Sequence, residues 1–143
     1  MLIRPFVPAD TEPVVALWER CGLTRPWNDP RKDIERKLSV QPDLFLVGVL
    51  DAAVVASVMA GYDGHRGSIN YLAVDPAHRR DGLAGRMLGV VERELETLGC
   101  PKVSLQIRAG NDTALEFYVA HGYTPDHTVV LGKRLISDGP AAG

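Results

Sequence analysis

Cysteine is scarce in this 143-residue chain, and its two cysteines, Cys21 and Cys100, lie far apart without CxxC spacing. A disulfide framework is not expected, and two reduced thiols are typical of a cytoplasmic protein. No apolar run reaches the roughly 18 residues of a membrane-spanning helix, and the first residues lack the uninterrupted apolar stretch of a signal peptide. The sequence therefore predicts a cytoplasmic protein with no membrane partner.

Neither sign of charge dominates the chain. The 16 Lys and Arg against 18 Asp and Glu leave a formal net charge of −2. This balance argues against a general nucleic-acid binder, although it allows a local basic patch. The four histidines lack metal-ligand spacing, so no metal site is expected.

The composition is that of an ordinary globular domain, with 45% hydrophobic and 24% charged residues. A chain of this length buries roughly 68–70% of its unfolded surface, which is enough to form a core without covalent cross-links. No repeat or linker divides it. We expect one domain over residues 1–136 and a flexible tail over residues 137–143.

Hydrophobic periodicity and turn residues predict an α/β fold with a central mixed sheet and about four helices on its two faces. SINYLAV and KVSLQI are expected to pair in parallel through a crossover helix. Asp10 and Asp29 are predicted to cap the first two helices. The predicted elements are, in order, strand 2–6, helix 10–21, a helix from 29, hairpin strands 43–50 and 53–61 turning at Asp51-Ala52, strand 68–74, a helix ending near 98, strand 102–107, a helix capped by Asn111 or Asp112 and ending near 122, and strand 128–135.

A basic, glycine-rich turn stands between the strand 68–74 and the helix that follows it. Arg79 and Arg80 precede Gly82, Ala84 and Gly85. A helix N-terminus offers unpaired N–H groups, and glycine lets an anion approach them. The chain has neither GxxxxGK[ST] nor GxGxxG, which excludes the usual P-loop and the dinucleotide fingerprint. The turn is either a phosphate or pyrophosphate cradle or a tight turn with solvated arginines.

The stretch Arg79-Arg80-Asp81-Gly82-Leu83-Ala84 resembles the [Q/R]-x-x-G-x-[G/A] motif of the GNAT superfamily of acyl-CoA-dependent N-acyltransferases. NDTALEFYVAHGY is similar to the later helix of that family, N-x-x-A-x-x-[F/L]-Y-x-x-x-G-[F/Y]. The stretches LTRPWNDPRKDIERKL and GYDGHRG resemble a bacterial subgroup, the YpeA-like proteins, without narrowing the acceptor. The resemblance implies the GNAT-like fold and transfer of an acetyl group from acetyl-CoA to a primary amine, with no metal.

The resemblance also assigns roles to individual residues. Backbone groups at the end of the fourth strand would bind the pantetheine arm, and the amide of Val74 would polarise the thioester carbonyl. Tyr118 would be the general acid, because a phenol can protonate a leaving thiolate. Its alternative role is a core aromatic. The implied cofactor-binding residues are Leu72, Ala73, Val74, Arg79, Arg80, Asp81, Gly82, Leu83, Ala84, Gly85 and Asn111.

The general base is less well defined. Many relatives carry a glutamate on the fourth strand, whereas SINYLAV has no carboxylate. Asp63 and His65, in the loop before that strand, are the nearest candidates and would act through water. The alternative is a polar loop in which both side chains are merely solvated.

Acceptor selectivity in this family usually comes from the first two helices and their loop, which here hold Trp27, Asn28, Asp29 and Asp33. An aromatic wall with carboxylates suits a cationic amine, and a helix cap with a solvated face is the alternative. The acceptor amine stays open between a small molecule and a protein or peptide, and a homodimer is compatible with the sequence. Two rival hypotheses are a non-catalytic CoA-binding or regulatory domain and an unrelated phosphate-binding module.

Overall fold

The structure, a computed structural model, describes residues 1–139. Its strands span Leu2–Pro5 (β1), Phe45–Leu50 (β2), Ala53–Tyr62 (β3), Gly67–Val74 (β4) and Val103–Ser104 (β5). Its α-helices span Thr11–Arg20 (α1), Pro30–Leu38 (α2), Leu83–Thr97 (α3) and Asp112–Ala120 (α4). The strands form one sheet in the order β1-β2-β3-β4-β5, antiparallel from β1 to β4 and parallel between β4 and β5. Across residues 1–139, no helix is long and apolar enough to span a membrane.

Helices cover both faces of the sheet, and each face has its own core. Phe45 and Val47 of β2 point to the face under α1 and α2, whereas Leu46 between them points to the face under α3. Side chains alternate along a strand, so a strand covered on both faces has a continuous apolar sequence. The predicted α/β fold, with a mixed sheet and four flanking helices, is confirmed.

The hairpin joining β2 and β3 forms where the sequence predicts it. Asp51 and Ala52 make the turn, and both have positive φ, 51° and 64°. Two consecutive left-handed residues are typical of a type I′ turn, whose twist matches that of the flanking strands. The hairpin brings β3 to the middle of the sheet.

Of the two aspartates predicted to cap helices, Asp29 does so and Asp10 does not. Asp29 Oδ1 accepts hydrogen bonds from two amides in the first turn of α2, at 2.9 and 3.3 Å. Asp10 instead accepts two bonds from the guanidinium of Arg4, at 2.7 and 3.0 Å, and one from the Val7 amide at 2.9 Å. The bidentate bond with Arg4 lowers the pKa of the Asp10 carboxyl. The cap prediction for Asp10 is wrong because this charged pair takes the carboxylate.

The C-terminal part of the chain has less strand than predicted. The strand predicted over residues 102–107 is shortened to β5, and the strand predicted over residues 128–135 is wrong, since the backbone there is irregular. Val129 and Leu131 are 86% and 90% exposed. A two-residue β5 offers too short an edge for a further strand to pair with.

The tail predicted over residues 137–143 lies only partly within the described residues. Asp138 accepts two hydrogen bonds from Arg36 and one, at 3.2 Å, from the Asp29 amide. The bonds from Arg36, followed by the amide bond, lower the pKa of Asp138 to about 2. Residues 137–139 therefore lie against α2, and residues 140–143 fall outside the description.

A β-bulge in β4 shapes the side of the sheet next to β5. Ser57 of β3 pairs with Ala73, but Met59 pairs with Asn70, so two residues of β4 face one residue of β3. One of the two, Tyr71, has a φ of +52°, which a bulky residue rarely adopts. A bulge bends its strand and increases the local twist.

A buried hydrogen-bond chain holds this bulge. The Ser57 hydroxyl donates to the Tyr71 carbonyl and accepts from Trp18 Nε1, both at 2.8 Å. Ser57 and Trp18 are fully buried. The Tyr71 ring also stacks on Trp18, with ring centroids 3.7 Å apart. A helix on one face thus fixes the backbone of the strand it covers.

Removing the Ser57 hydroxyl should destabilise the protein. Ser57→Ala leaves the indole N–H of Trp18 and the carbonyl of Tyr71 without a partner, which we expect to cost about 1–3 kcal/mol of unfolding free energy. Urea denaturation measures the loss. Ser39→Ala is the matched control, because Ser39 is exposed and a surface change of this kind stays within about 0.5 kcal/mol. Equal midpoints for the two variants would contradict the role given to Ser57.

Candidate active site

A cleft opens between β4 and β5 beyond the point where these strands pair. Pairing joins Gly67 to Val103 and Ser68 to Ser104, and goes no further. Two adjoining cavities lie there, the larger reaching the loop after β3 and the smaller reaching the loop before α2. Residues that line both cavities, called the shared wall below, are Lys37, Val40, Met59, Asn70, Leu105, Gln106, Ile107 and Tyr118.

The glycine-rich turn forms a cradle of unpaired amides at the start of α3. Within residues 1–139, no amide from Arg79 to Gly85 donates a hydrogen bond, and the first bond of α3 runs from the Arg86 amide to the Gly82 carbonyl at 3.2 Å. Arg80 and Gly82 both have a φ of +75°. Such a left-handed turn directs successive N–H groups into one concave site that suits an anion. The turn thus presents a concave row of unpaired N–H groups, which is called the cradle below.

The last residue of β4 presents its backbone to the same cleft. The amide of Asp75, just after the strand, donates to the Val55 carbonyl of β3 at 2.8 Å. N–H groups alternate sides along a strand, so the Val74 amide points away from β3, toward the side where β5 no longer pairs. The Val74 carbonyl accepts from Arg79 Nε at 3.4 Å and Cys21 Sγ at 3.3 Å, consistent with that orientation.

Tyr118 of α4 belongs to the shared wall. Its ring packs edge-on against Phe117 and Tyr123, with centroids 5.1 and 5.4 Å away. Burial alone raises the pKa of Tyr118 to about 12, with no contribution from a hydrogen bond to the hydroxyl. The phenol therefore keeps its proton at neutral pH.

Sequence comparison decides the family. Residues 8–123 match the model of the acetyltransferase (GNAT) family. The chain belongs to this family. An acetyltransferase of Yersinia enterocolitica is 49% identical over 138 residues, which cover 96% of this chain and 98% of the relative. An acetyltransferase of Pectobacterium atrosepticum is 50% identical over 138 residues, with the same coverage. The protein is therefore an acetyltransferase rather than an unrelated phosphate-binding module.

Solved structures agree with this assignment. Ard1 from Thermoplasma volcanium has a TM-score of 0.78 and 26% identity, covering 86% of this GNAT chain and 82% of its own. The acetyltransferase AAC(6')-Iy, solved with a CoA-containing bisubstrate analogue, has a TM-score of 0.76 at 17% identity, covering 94% of this chain and 98% of its own. Because AAC(6')-Iy is only 17% identical to this chain, its similarity shows the fold alone.

The two candidate bases of this acetyltransferase lie in different positions. Asp63 lines the larger cavity together with Tyr118, whereas His65 does not line either cavity. Asp63 Oδ1 accepts from the amides of His65 and Arg66, both at 2.7 Å, which closes the loop. These bonds, that from Arg66 foremost, lower the pKa of the Asp63 carboxyl. A lowered pKa makes the Asp63 carboxylate a weaker base. Its Oδ2 accepts neither of these two loop bonds.

Two of the expected cofactor-binding residues, Asn111 and Gly85, have structural roles in α4 and α3. Asn111 Oδ1 accepts from the Ala114 amide at 3.2 Å, so it caps α4, and it also lines the smaller cavity together with Leu72. A Cβ at position 85 would lie 3.0 Å from Nε2 of His121. Glycine at position 85 therefore allows α4 to approach the first turn of α3.

The loop before α2 forms the far side of the smaller cavity. Asp33 Oδ2 accepts from the Tyr71 hydroxyl at 2.7 Å and from Asn28 Nδ2 at 2.6 Å. Burial, then the bond to Asp33, raises the pKa of Tyr71 above its usual range. Trp27 also lines this cavity and is half exposed. The structure thus brings together Trp27, Asn28 and Asp33, whereas the Asp29 side chain serves as a helix cap.

Three polar residues of the shared wall, Lys37, Asn70 and Gln106, were not expected from the sequence to belong to a site. Lysine normally indicates a solvated helix face, and Gln106 stands in a run predicted as an ordinary strand. One signal was available for Lys37. It follows the buried Ile34 by three residues, so it falls on the apolar stripe of α2.

Proposed function

We propose that the protein transfers the acetyl group of acetyl-CoA to a primary amine, which attacks the thioester directly. The observation that carries this proposal is the Tyr118 hydroxyl, protonated at neutral pH and placed on the shared wall. A domain that only bound CoA would have no use for a proton donor there. The rival, a CoA-binding or regulatory domain, is favoured only by the lack of a carboxylate on β4.

The cofactor would lie along the cleft with its pyrophosphate in the cradle. The unpaired amides from Arg79 to Gly85 and the two arginine side chains match a doubly charged group. The pantetheine arm would follow β4 at Leu72 and Ala73, with Asn111 on the other side. The Val74 amide would then face the thioester carbonyl and stabilise the negative charge that develops on its oxygen.

The reaction needs three proton and charge movements. The neutral amine attacks the carbonyl carbon and forms the C–N bond, and the oxygen takes the negative charge. As the C–S bond breaks, the sulfur takes up the proton of the Tyr118 hydroxyl. The amine nitrogen loses its proton through water to a base, for which we propose Asp63, with His65 as the second candidate. Products are the amide and free CoA thiol.

Gly82→Val should abolish acetyl-CoA binding while the protein stays folded. A β-branched residue is strained at a φ of +75°, so valine at position 82 should distort the turn that orients the cradle amides. In the wild type, acetyl-CoA at about a hundred times its dissociation constant should stabilise the fold by about 2.7 kcal/mol, seen as a melting-temperature shift. Gly99→Val is the matched control, because Gly99 has a φ of +86° and equally open surroundings after α3. If Gly82→Val still binds normally, the cradle is misplaced.

Tyr118→Phe should lower kcat by about 10²–10⁴-fold and leave acetyl-CoA affinity nearly unchanged. The substitution removes one oxygen and keeps the ring contacts with Phe117 and Tyr123. With a pKa of about 12, Tyr118 stays protonated well into alkaline pH, so the wild-type rate should rise with pH without an alkaline fall below that value. Steady-state release of CoA thiol measures both effects. A loss below about threefold would make Tyr118 a packing residue.

Asp63→Asn should lower kcat by at least about tenfold, and His65→Gln should not, because only Asp63 lines the cavity. Asparagine keeps the oxygen that accepts the two loop amides, so the loop should keep its shape. The pH profile of CoA release separates the two variants. If Asp63→Asn leaves the rate and the profile unchanged, Asp63 only shapes the loop.

A further inference from the structure

Lys37 is a buried lysine on the shared wall that the proposed reaction does not use. It lies in the last turn of α2, and the residue is 9% exposed. Its Nζ donates a hydrogen bond to the Ala60 carbonyl of β3. An ammonium group has three N–H donors, so one bond to a neutral carbonyl leaves most of its capacity unused.

No anion of the described chain neutralises this ammonium group. Lys37 forms no ion pair within residues 1–139. Asp33, one helical turn earlier, is engaged by Tyr71 and Asn28. Burial lowers the pKa of Lys37, since removing a charge from water is costly without a partner. A buried lysine of this kind is a place where an external anion gains a charge-assisted hydrogen bond.

The smaller cavity as a whole is cationic. Besides Lys37, it is lined by Arg25, Arg108 and Arg36, of which Arg36 is paired with Asp138, and its one lining carboxylate is Asp33. The sequence left a cavity for a cationic amine and a solvated helix face as alternatives in this region. A ligand that carries a negative charge fits the cavity better than a polyamine.

We propose that Lys37 binds a carboxylate of the acceptor, so that the acetylated substrates are amino acids or closely related amino carboxylates. The inference rests on the proposed acetyl transfer and names its acceptor class. Asn70 and Gln106 of the shared wall supply amide N–H groups for the second carboxylate oxygen, and Tyr118 on the same wall marks the reacting end. The amine therefore lies between the thioester and the bound carboxylate.

The direct test is calorimetric measurement of how tightly small acceptors bind to the protein saturated with CoA. The probes are glycine, phenylalanine and lysine, each compared with its carboxamide. The wild type should bind at least one acid more tightly than its amide, and Lys37→Met should reduce this preference by about 10- to 100-fold. Methionine matches the lysine side chain up to its terminal nitrogen and removes a buried charge, so the fold should be retained. Lys32→Met, on the exposed side of the same helix, should keep the preference.

Two outcomes of this binding measurement would overturn the proposal. No preference for an acid over its amide in the wild type would overturn it, as would an equal loss of affinity for acids and amides in Lys37→Met, which is expected if Lys37 only shapes the cavity. Lys37→Arg keeps a cation and should retain part of the preference. Release of CoA thiol from acetyl-CoA, with the same probes as acceptors, separates failure of the carboxylate site from failure of the proposed acetyl transfer. Acetylation of amines without a preference for acids contradicts the carboxylate site alone. Binding of acids without any acetylation contradicts acetyl transfer.

Discussion

The hydrogen-bond chain from Trp18 through Ser57 to the Tyr71 carbonyl is the interaction on which the rest of the molecule depends. It holds Tyr71 at a φ of +52° and thereby fixes the bulge in β4. Because the bulge turns the strand, β4 and β5 stop pairing after two residues and leave a cleft. The Tyr71 hydroxyl donates to Asp33 of α2, so the same residue links the bulge to the smaller cavity.

Three groups able to bind negative charge lie in different parts of the structure. The amides from Arg79 to Gly85 donate no hydrogen bond among residues 1–139, and the Val74 amide faces the open side of β4. Lys37, on the shared wall, is buried without a carboxylate partner among the described residues. In the proposed reaction, the pyrophosphate of the acetyl donor would bind the first group and a carboxylate of the acceptor would bind Lys37, with Tyr118 between them.

The parts of the fold that local chemistry decides could be predicted from sequence: the Asp51-Ala52 hairpin, the Asp29 cap and the glycine-rich turn before α3. The parts decided by tertiary contacts could not. Asp10 pairs with Arg4 instead of capping α1, and a left-handed Tyr71 is stable only because Trp18 and Ser57 hold it. Lys37 escaped notice because residue type predicts exposure, whereas its place on the apolar stripe of α2 decides burial.

The account is tested most directly by a crystal structure of the protein with CoA. It predicts pyrophosphate oxygens at about 2.7–3.2 Å from amides between Gly82 and Gly85, the pantetheine arm between β4 and β5, and the thiol sulfur within hydrogen-bond reach of the Tyr118 hydroxyl. CoA bound outside the cleft, or in the cleft with its sulfur remote from Tyr118, would contradict the central claim that the bulge in β4 opens the catalytic site.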